Sequence, residues 1–390
     1  MKSKELLSLV IIIFSLGASA NLPAQAKLKD AFKDYFLIGA SLNRAQIFEK
    51  DARGSRLVKE QFNTVSPENI LKWAEVHPAP NRYNFEAADR YVAFGEKNGM
   101  FIIGHTLVWH NQTPRWVFQD KKGNPVSRDE LLTRMRAHIQ ALLSRYRGKI
   151  KGWDVVNEAL NDDGSLRQTP WLKIIGEDYI AKAFEYAHEA DPAAELYYND
   201  YSLENEPKRR GAIALIKKLQ ALGIPINAVG SQGHDNLIFP TVEQQEATIT
   251  EFAALGIKVN ITELDVSVLP DPEGFSGAEV TLNYEAKERL NPYKNALPAE
   301  IQKKLADRYA ELFAVYLKHH RDIARITFWN VTDEESWLNN FPVRGRTNYP
   351  LLFDRQGKPK LAFDAVIESV ERYKKTGSIN NSSLIKIKPA

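Results

Sequence analysis

IKGWDVVNEAL (residues 150–160) is a run of apolar and β-branched side chains that ends on two polar ones, Asn157 and Glu158. Short apolar runs of this kind read as buried strands. The segment before it, RDELLTRMRAHIQALLSRYRG (128–148), carries apolar residues at helical spacing and closes on glycine, and EDYIAKAFEYAHEADP (177–192) after it repeats the pattern. A strand set between helices is the unit of a parallel sheet. Seven further runs fit: FLIGASLN (36–43), FNTVSPEN (62–69), FIIGHTLVWH (101–110), ELYYNDY (195–201), INAVGSQGH (226–234), IKVNITELDV (257–266) and ARITFWNVTDEESW (324–337). Helical segments such as EAADRYVAFGEKNG (86–99) and PKRRGAIALIKKLQALG (207–223) lie between them. Eight strand-then-helix units predict an α/β fold, a (β/α)8 TIM barrel in one domain. An open doubly wound sheet is the alternative, but no GxGxxG follows the first run to support a dinucleotide crevice.

Functional groups of such a barrel sit at the C-terminal ends of its strands. The run-ends here are polar: Asn43; Glu68 and Asn69; His105, Trp109 and His110; Asn157 and Glu158; Asn199, Asp200 and Tyr201; Gln232 and His234; Glu263 and Asp265; and the stretch from Trp329 to Trp337. Glu158 and Glu263 lie 105 positions apart on the fourth and seventh runs, so they face each other across the barrel mouth. Two carboxyl groups facing one bond are what glycoside hydrolysis requires. A lone glutamate at a strand end is ordinarily a surface or capping residue, so the pair gains weight only from its surroundings.

Composition bounds the rest. The chain has 390 residues, 44% hydrophobic and 26% charged, with a net charge of +3 and no basic stripe with interleaved aromatics, which argues against nucleic acid as a partner. Residues 1–26 read as a secretory signal peptide, with Lys2 and Lys4, an apolar run from Leu6 to Leu16 and cleavage near 20 or 26. That run is shorter than the roughly 20 residues a membrane span needs. The expectation is a secreted or periplasmic protein with no membrane association once the signal is removed. The sequence contains no cysteine, so stability rests on packing without disulfides or thiolate metal sites. Residues 27–375 are expected to form the catalytic domain, followed by a polar tail over 376–390, with no internal repeat or linker dividing the chain.

Seven motifs stand in one order: SPEN with LKW (66–73), GHTLVWH (104–110), WDVVNE (153–158), YYNDY (197–201), GSQGH (230–234), ITELD (261–265) and FW with VTDEESW (328–337). In these motifs residues 28–373 resemble glycoside hydrolase family 10, the retaining endo-β-1,4-xylanases on a (β/α)8 barrel. The resemblance implies xylan and xylo-oligosaccharides as substrates, no cofactor and no metal; a monomer is expected. It makes Glu158 the acid/base and Glu263 the nucleophile, supported by Asn157, His234 and Asp265. Asn157 would hydrogen-bond the sugar 2-hydroxyl, and His234 with Asp265 would orient Glu263 and keep it ionised. Substrate-binding positions implied in the same way are Glu68, Asn69, Lys72, His105, Trp109, Gln232, Trp329 and Trp337, with Tyr201 on the aglycone side. Flat indole rings pack against the C–H faces of pyranoses. By resemblance, Trp329 and Trp337 would exclude glucosides by clashing with the hydroxymethyl group that xylose lacks.

Two positions depart from the family pattern: Asn330 stands where glycine is usual, and Ser202 where asparagine is common. The connection over 270–299 is long for a barrel-top loop. Asp154, inside its run, reads as a structural carboxylate, and His138, His188, His319 and His320 fall on predicted helices. Rival readings are a related retaining endo-glucanase, an exo-acting β-xylosidase, or a non-catalytic glycan-binding protein, which would be expected to have lost one carboxylate. A metal-dependent hydrolase would want HxH near the first strand, which is missing.

Overall fold

Each helix is cut to length by local chemistry, and this spacing returns the chain to the next strand. The helix Arg128–Tyr146 starts at Ser127, whose Oγ accepts from the Glu130 N–H at 3.2 Å, a cap that contributes about 1 kcal/mol. Leu131, Met135, Ile139, Leu142 and Tyr146 recur on one face and are buried against the sheet; each aliphatic chain so buried contributes about 1.5–3 kcal/mol. The helix ends before Gly148, whose φ of +72° takes the chain out of helical geometry. Helices Glu86–Lys97, Tyr179–Ala190 and Glu206–Ala221 fall where the sequence expects them.

The computed structural model describes residues 26–275 and 284–377. The signal peptide and the polar tail thus lie outside the described residues, apart from their inner edges, as does the segment 276–283 of the long connection. The strands are β1 (Leu37–Leu42), β2 (Thr64–Pro67), β3 (Phe101–Val108), β4 (Ile150–Asn157), β5 (Glu195–Asp200), β6 (Ala228–Ser231), β7 (His234–Asn236), β8 (Lys258–Ser267) and β9 (Ile323–Phe328). Pairing is parallel throughout, and the β1–β9 and β6–β8 pairs close the sheet into a ring. Eight barrel positions are filled by nine strands because the sixth run breaks. Gly233, at φ +78°, separates β6 from β7, and a Cβ there would meet the Ile261 side chain at 3.0 Å. The result is a (β/α)8 TIM barrel. The eighth run is shorter than its sequence suggests: β9 stops at Phe328, and Asn330, at φ +83°, turns the chain outward so that Trp329 to Trp337 form a loop over the mouth.

Most of the core lies between sheet and helices. Inside the barrel, Ile103, Tyr197 and Ala228 form a small apolar layer. Above it stands Arg325, 5.2 Å from the Tyr197 ring and 3.9 Å from Asp154. Asp154 in turn accepts from His105 Nδ1 at 2.9 Å. It is therefore a structural carboxylate that holds a histidine of the cleft floor in place.

Candidate active site

The register of the ring brings the polar run-ends to one rim. Asn157 pairs with Asn199 across β4 and β5, and His234 with Asp265 across β7 and β8. Glu158 is the first residue past β4 and adopts φ +55°, a conformation that costs a non-glycine residue about 1–3 kcal/mol and tends to mark functional positions. Its backbone N–H donates to Asn199 O at 2.9 Å. Trp109 Nε1 donates to its Oε2 at 2.8 Å and Gln232 Nε2 to its Oε1 at 3.0 Å. Trp109 is itself fixed, since its carbonyl accepts from Trp171 Nε1 at 3.0 Å. Burial raises the Glu158 carboxyl above its ordinary value, with like charge from Asp200 and Glu263 adding to the shift and the two neutral donors opposing it.

Glu263 is as deeply buried as Glu158 yet goes the other way. Burial alone would raise it, but His234 Nε2 lies 3.4 Å from Oε2, Asn199 Nδ2 donates to Oε1 at 2.9 Å, and the fields of His105 and His234 add to these bonds. The carboxyl is held below its ordinary value. Burial would also lower His234, but the Asp265 carboxylate at 3.2 Å and the bonds to Asp265 and Glu263 outweigh it and lift the imidazole to about 10. At neutral pH the ring is a cation and both nitrogens donate. Asp265 is anchored behind it by Trp337 Nε1, which donates to Oδ2 at 2.7 Å.

Glu158, Glu263, Asn157, His234, Glu68, Asn69, Lys72, His105, Trp109, Gln232, Trp329 and Trp337 line one cleft together with Gln112. Asn157 Oδ1 accepts from Asn199 Nδ2 at 2.8 Å, leaving its NH2 for a ligand. Lys72 Nζ donates to Asn69 Oδ1 at 3.0 Å and sits 4.9 Å over the Trp109 ring; burial lowers its ammonium, and Glu263, Glu68 and Glu158 oppose that. Glu68 is raised by burial, with Lys72 opposing. Trp329 meets the His105 ring edge to face at 5.6 Å, while Trp337 stacks on Phe341 at 4.6 Å.

Two sequence-derived positions are not on the cleft wall. Asp265 stands behind His234, as an orienting group would. Tyr201, the first residue past β5, is buried outside this cleft, where its hydroxyl accepts from Arg167 Nη2 at 2.6 Å and the Lys208 ammonium lies 3.3 Å from its ring centre. Two positions were missed. Asn199 donates to Asn157 and Glu263 at once, its Oδ1 fixed by Thr262 Oγ1 at 2.6 Å. Its place at the end of the YYNDY run was the available signal. Gln112, two residues past GHTLVWH, donates to Asn69 Oδ1 at 3.2 Å from a φ of +46° that no pattern announces. Among the described residues, no three or more His, Cys, Asp or Glu side chains cluster so as to hold a metal ion.

Two buried carboxyls lining one cleft from β4 and β8, one raised and the other lowered, are an arrangement suited to an acid beside a nucleophile or base. The glycosyl hydrolase family 10 profile matches residues 27–369. Endo-1,4-beta-xylanase A of Xylanibacter ruminicola is 46% identical over 347 residues, which span 89% of this chain and 94% of that protein. Beta-1,4-xylanase of Dictyoglomus thermophilum is 42% identical over 370 residues, 93% and 97% of the two chains. The solved structure of a family 10 endoxylanase retrieved from a sugarcane soil metagenome superposes with a TM-score of 0.85 at 45% identity, covering 87% of this chain and 99% of that one. The chain belongs to glycosyl hydrolase family 10 and is a glycoside hydrolase.

Proposed function

We propose that this protein is an endo-1,4-β-xylanase that cleaves internal bonds of xylan with retention of configuration, Glu158 acting as acid/base and Glu263 as nucleophile. The observation that carries the assignment of roles is the difference in partners: Glu158 accepts from the neutral Trp109 and Gln232 side chains at 2.8 and 3.0 Å, whereas Glu263 lies 3.4 Å from His234 Nε2, and the carboxyls are displaced accordingly, Glu158 up and Glu263 down. In the first step Glu263 attacks the anomeric carbon while Glu158 donates its proton to the departing sugar oxygen. The glycosyl ester so formed carries no charge at Glu263. Having given up its proton, Glu158 is a carboxylate, and with the like charge of Glu263 gone it is less driven to take a proton back from solvent, so it serves as base to the water that hydrolyses the ester and recovers its proton from that water. Asn157 offers its free NH2 to the 2-hydroxyl of the reacting sugar, a contact that strengthens in the oxocarbenium-like transition state.

Names of the relatives support xylan as the substrate, and the tryptophan wall supports a preference for xylose units. Trp329 and Trp337 close the cleft beside the two carboxylates, and bulk there excludes a hydroxymethyl group by clash. The leader with Lys2, Lys4 and the apolar run that follows supports export to the periplasm or the medium, where polymeric xylan would be met. Incubation of wild type, Glu158→Ala and Glu263→Ala with xylan, read by reducing ends and oligomer lengths, tests the proposal. Mixed oligomers from wild type and their loss in both variants are expected; full activity in either variant contradicts the mechanism, and release of xylose alone contradicts internal cleavage.

A further inference from the structure

The loop that carries both wall tryptophans is tied by one side chain. Asn330 follows Trp329 directly, is 1% exposed and holds φ at +83°, a left-handed conformation that glycine adopts freely and asparagine tolerates. Glycine would meet that backbone requirement equally well, so conformation alone does not account for the amide. Its backbone N–H donates to Ser41 Oγ on β1 at 2.7 Å, which pins the end of β9 to the first strand. Its Oδ1 accepts from the Trp337 backbone N–H at 3.1 Å, closing the loop across seven residues at the point where Trp337 begins its turn. The other half of the amide is poorly placed: Nδ2 is buried with no partner in good hydrogen-bond geometry. A buried donor left unpaired is costly. The group it neighbours is the Glu68 carboxyl, which the Asn330 amide lowers against the effect of burial as a donor would, so Nδ2 lies beside Glu68 without reaching good hydrogen-bond geometry.

We propose that Asn330 is a positioning residue of the cleft, its Oδ1 fixing Trp337 and its Nδ2 closing onto Glu68 when a sugar fills the site. The tryptophan wall and the Glu68 carboxyl then respond to substrate as one unit, which a glycine at this position could not achieve. Since Glu68 and Trp337 both line the cleft, the inference rests on reading that cleft as the xylan site and deepens it.

Two variants separate the two halves of the amide. Asn330→Gly keeps the backbone conformation and removes both contacts, whereas Asn330→Asp keeps an acceptor for Trp337 and removes the donor for Glu68. With aryl β-xylobioside, both should raise KM about three- to ten-fold, the worth of one hydrogen bond, while kcat stays within about twofold because ground and transition states lose the contact alike. Only Asn330→Gly, which frees Trp337, should also raise activity on aryl β-cellobioside relative to the xylobioside. If both variants keep the wild-type KM and substrate ratio while only their melting temperature falls, Asn330 is merely structural and the proposal is overturned. A wild type that turns over neither substrate would instead overturn the functional reading beneath it.

Discussion

The β4 and β8 sides of the cleft place a buried glutamate in opposite states. Around Glu158 the hydrogen-bond donors to the carboxyl are neutral, an indole from Trp109 and an amide from Gln232, and Asp200 and Glu263 push it up by like charge. The cations within its field donate to other groups, Lys72 to Asn69 Oδ1 and Arg167 to the Glu158 backbone carbonyl and the Tyr201 hydroxyl. Around Glu263 one donor is an imidazolium, His234, kept charged by Asp265 behind it. Burial is common to both and cannot distinguish them. The charge of the hydrogen-bond partner does, because a neutral donor offsets only part of the desolvation of a carboxylate and a cationic one offsets it fully.

The most severe way to break this comparison is to remove either carboxyl. Glu263→Ala should lose more than about 10⁴-fold in kcat, since no other group can form the ester. Glu158→Ala should lose about 10²–10⁴-fold on xylan, the range of general acid catalysis, and much less on an aryl glycoside whose leaving group needs no proton. Azide should rescue Glu158→Ala with retained configuration and, if it rescues Glu263→Ala at all, do so with inverted configuration. Chiral product analysis by proton NMR reads both.

Milder changes sharpen the comparison by moving one limb of the pH profile at a time. The proposed mechanism requires Glu263 ionised and Glu158 protonated. With Glu263 below and Glu158 above the ordinary 4.5, kcat/KM should fall as pH drops through the first and as pH rises through the second. His234→Gln removes the cation that depresses Glu263, so the acid limb should move to higher pH by about 1–3 units. Gln232→Ala removes a donor that depresses Glu158, so the alkaline limb should move up, by about one unit or less. Movement of both limbs in either variant would mean that the two sides are not independent.

Smaller effects belong to the wall. Trp337→Ala should raise the ratio of aryl β-cellobioside to aryl β-xylobioside activity by about tenfold, the scale on which a pocket discriminates one small group. An unchanged ratio removes Trp337 from the specificity argument. Tyr201→Phe should change kcat/KM by no more than about twofold, because the lost hydroxyl serves Arg167 rather than the cleft; the loss of this charge-assisted bond, about 1.5–3 kcal/mol, should appear in the melting temperature.

Much of this was legible in the sequence because a parallel barrel repeats a strong signal. Continuous β-branched runs alternate with helical periods, and glycines such as Gly148 mark where helices stop. Site residues were legible because the pleat ends at the rim, so the last polar residue of each run points to the mouth. What escaped detection depends on single dihedral angles or on contacts across the ring. The sixth run breaks at Gly233, which puts His234 on a separate strand in register with Asp265. Asn199 joins Asn157 to Glu263 from a third strand, a triangle that no linear spacing encodes. Both departures from the family motif, Ser202 and Asn330, fall at positive φ, 51° and 83°. Exchange among serine, asparagine and glycine at such positions is a backbone matter first, which is why those changes said little about function until the side-chain contacts of Asn330 were seen.

The central claim is that the free enzyme holds Glu158 protonated and Glu263 ionised over the same pH range. Carbon-13 NMR of protein labelled at the glutamate carboxyl carbons, assigned with Glu158→Gln and Glu263→Gln, measures both groups directly. The Glu263 resonance should titrate below 4.5 and the Glu158 resonance above it, and the latter should fall once Glu263 is trapped as a fluoroglycosyl ester. Both resonances titrating together, or in the reverse order, would contradict the account.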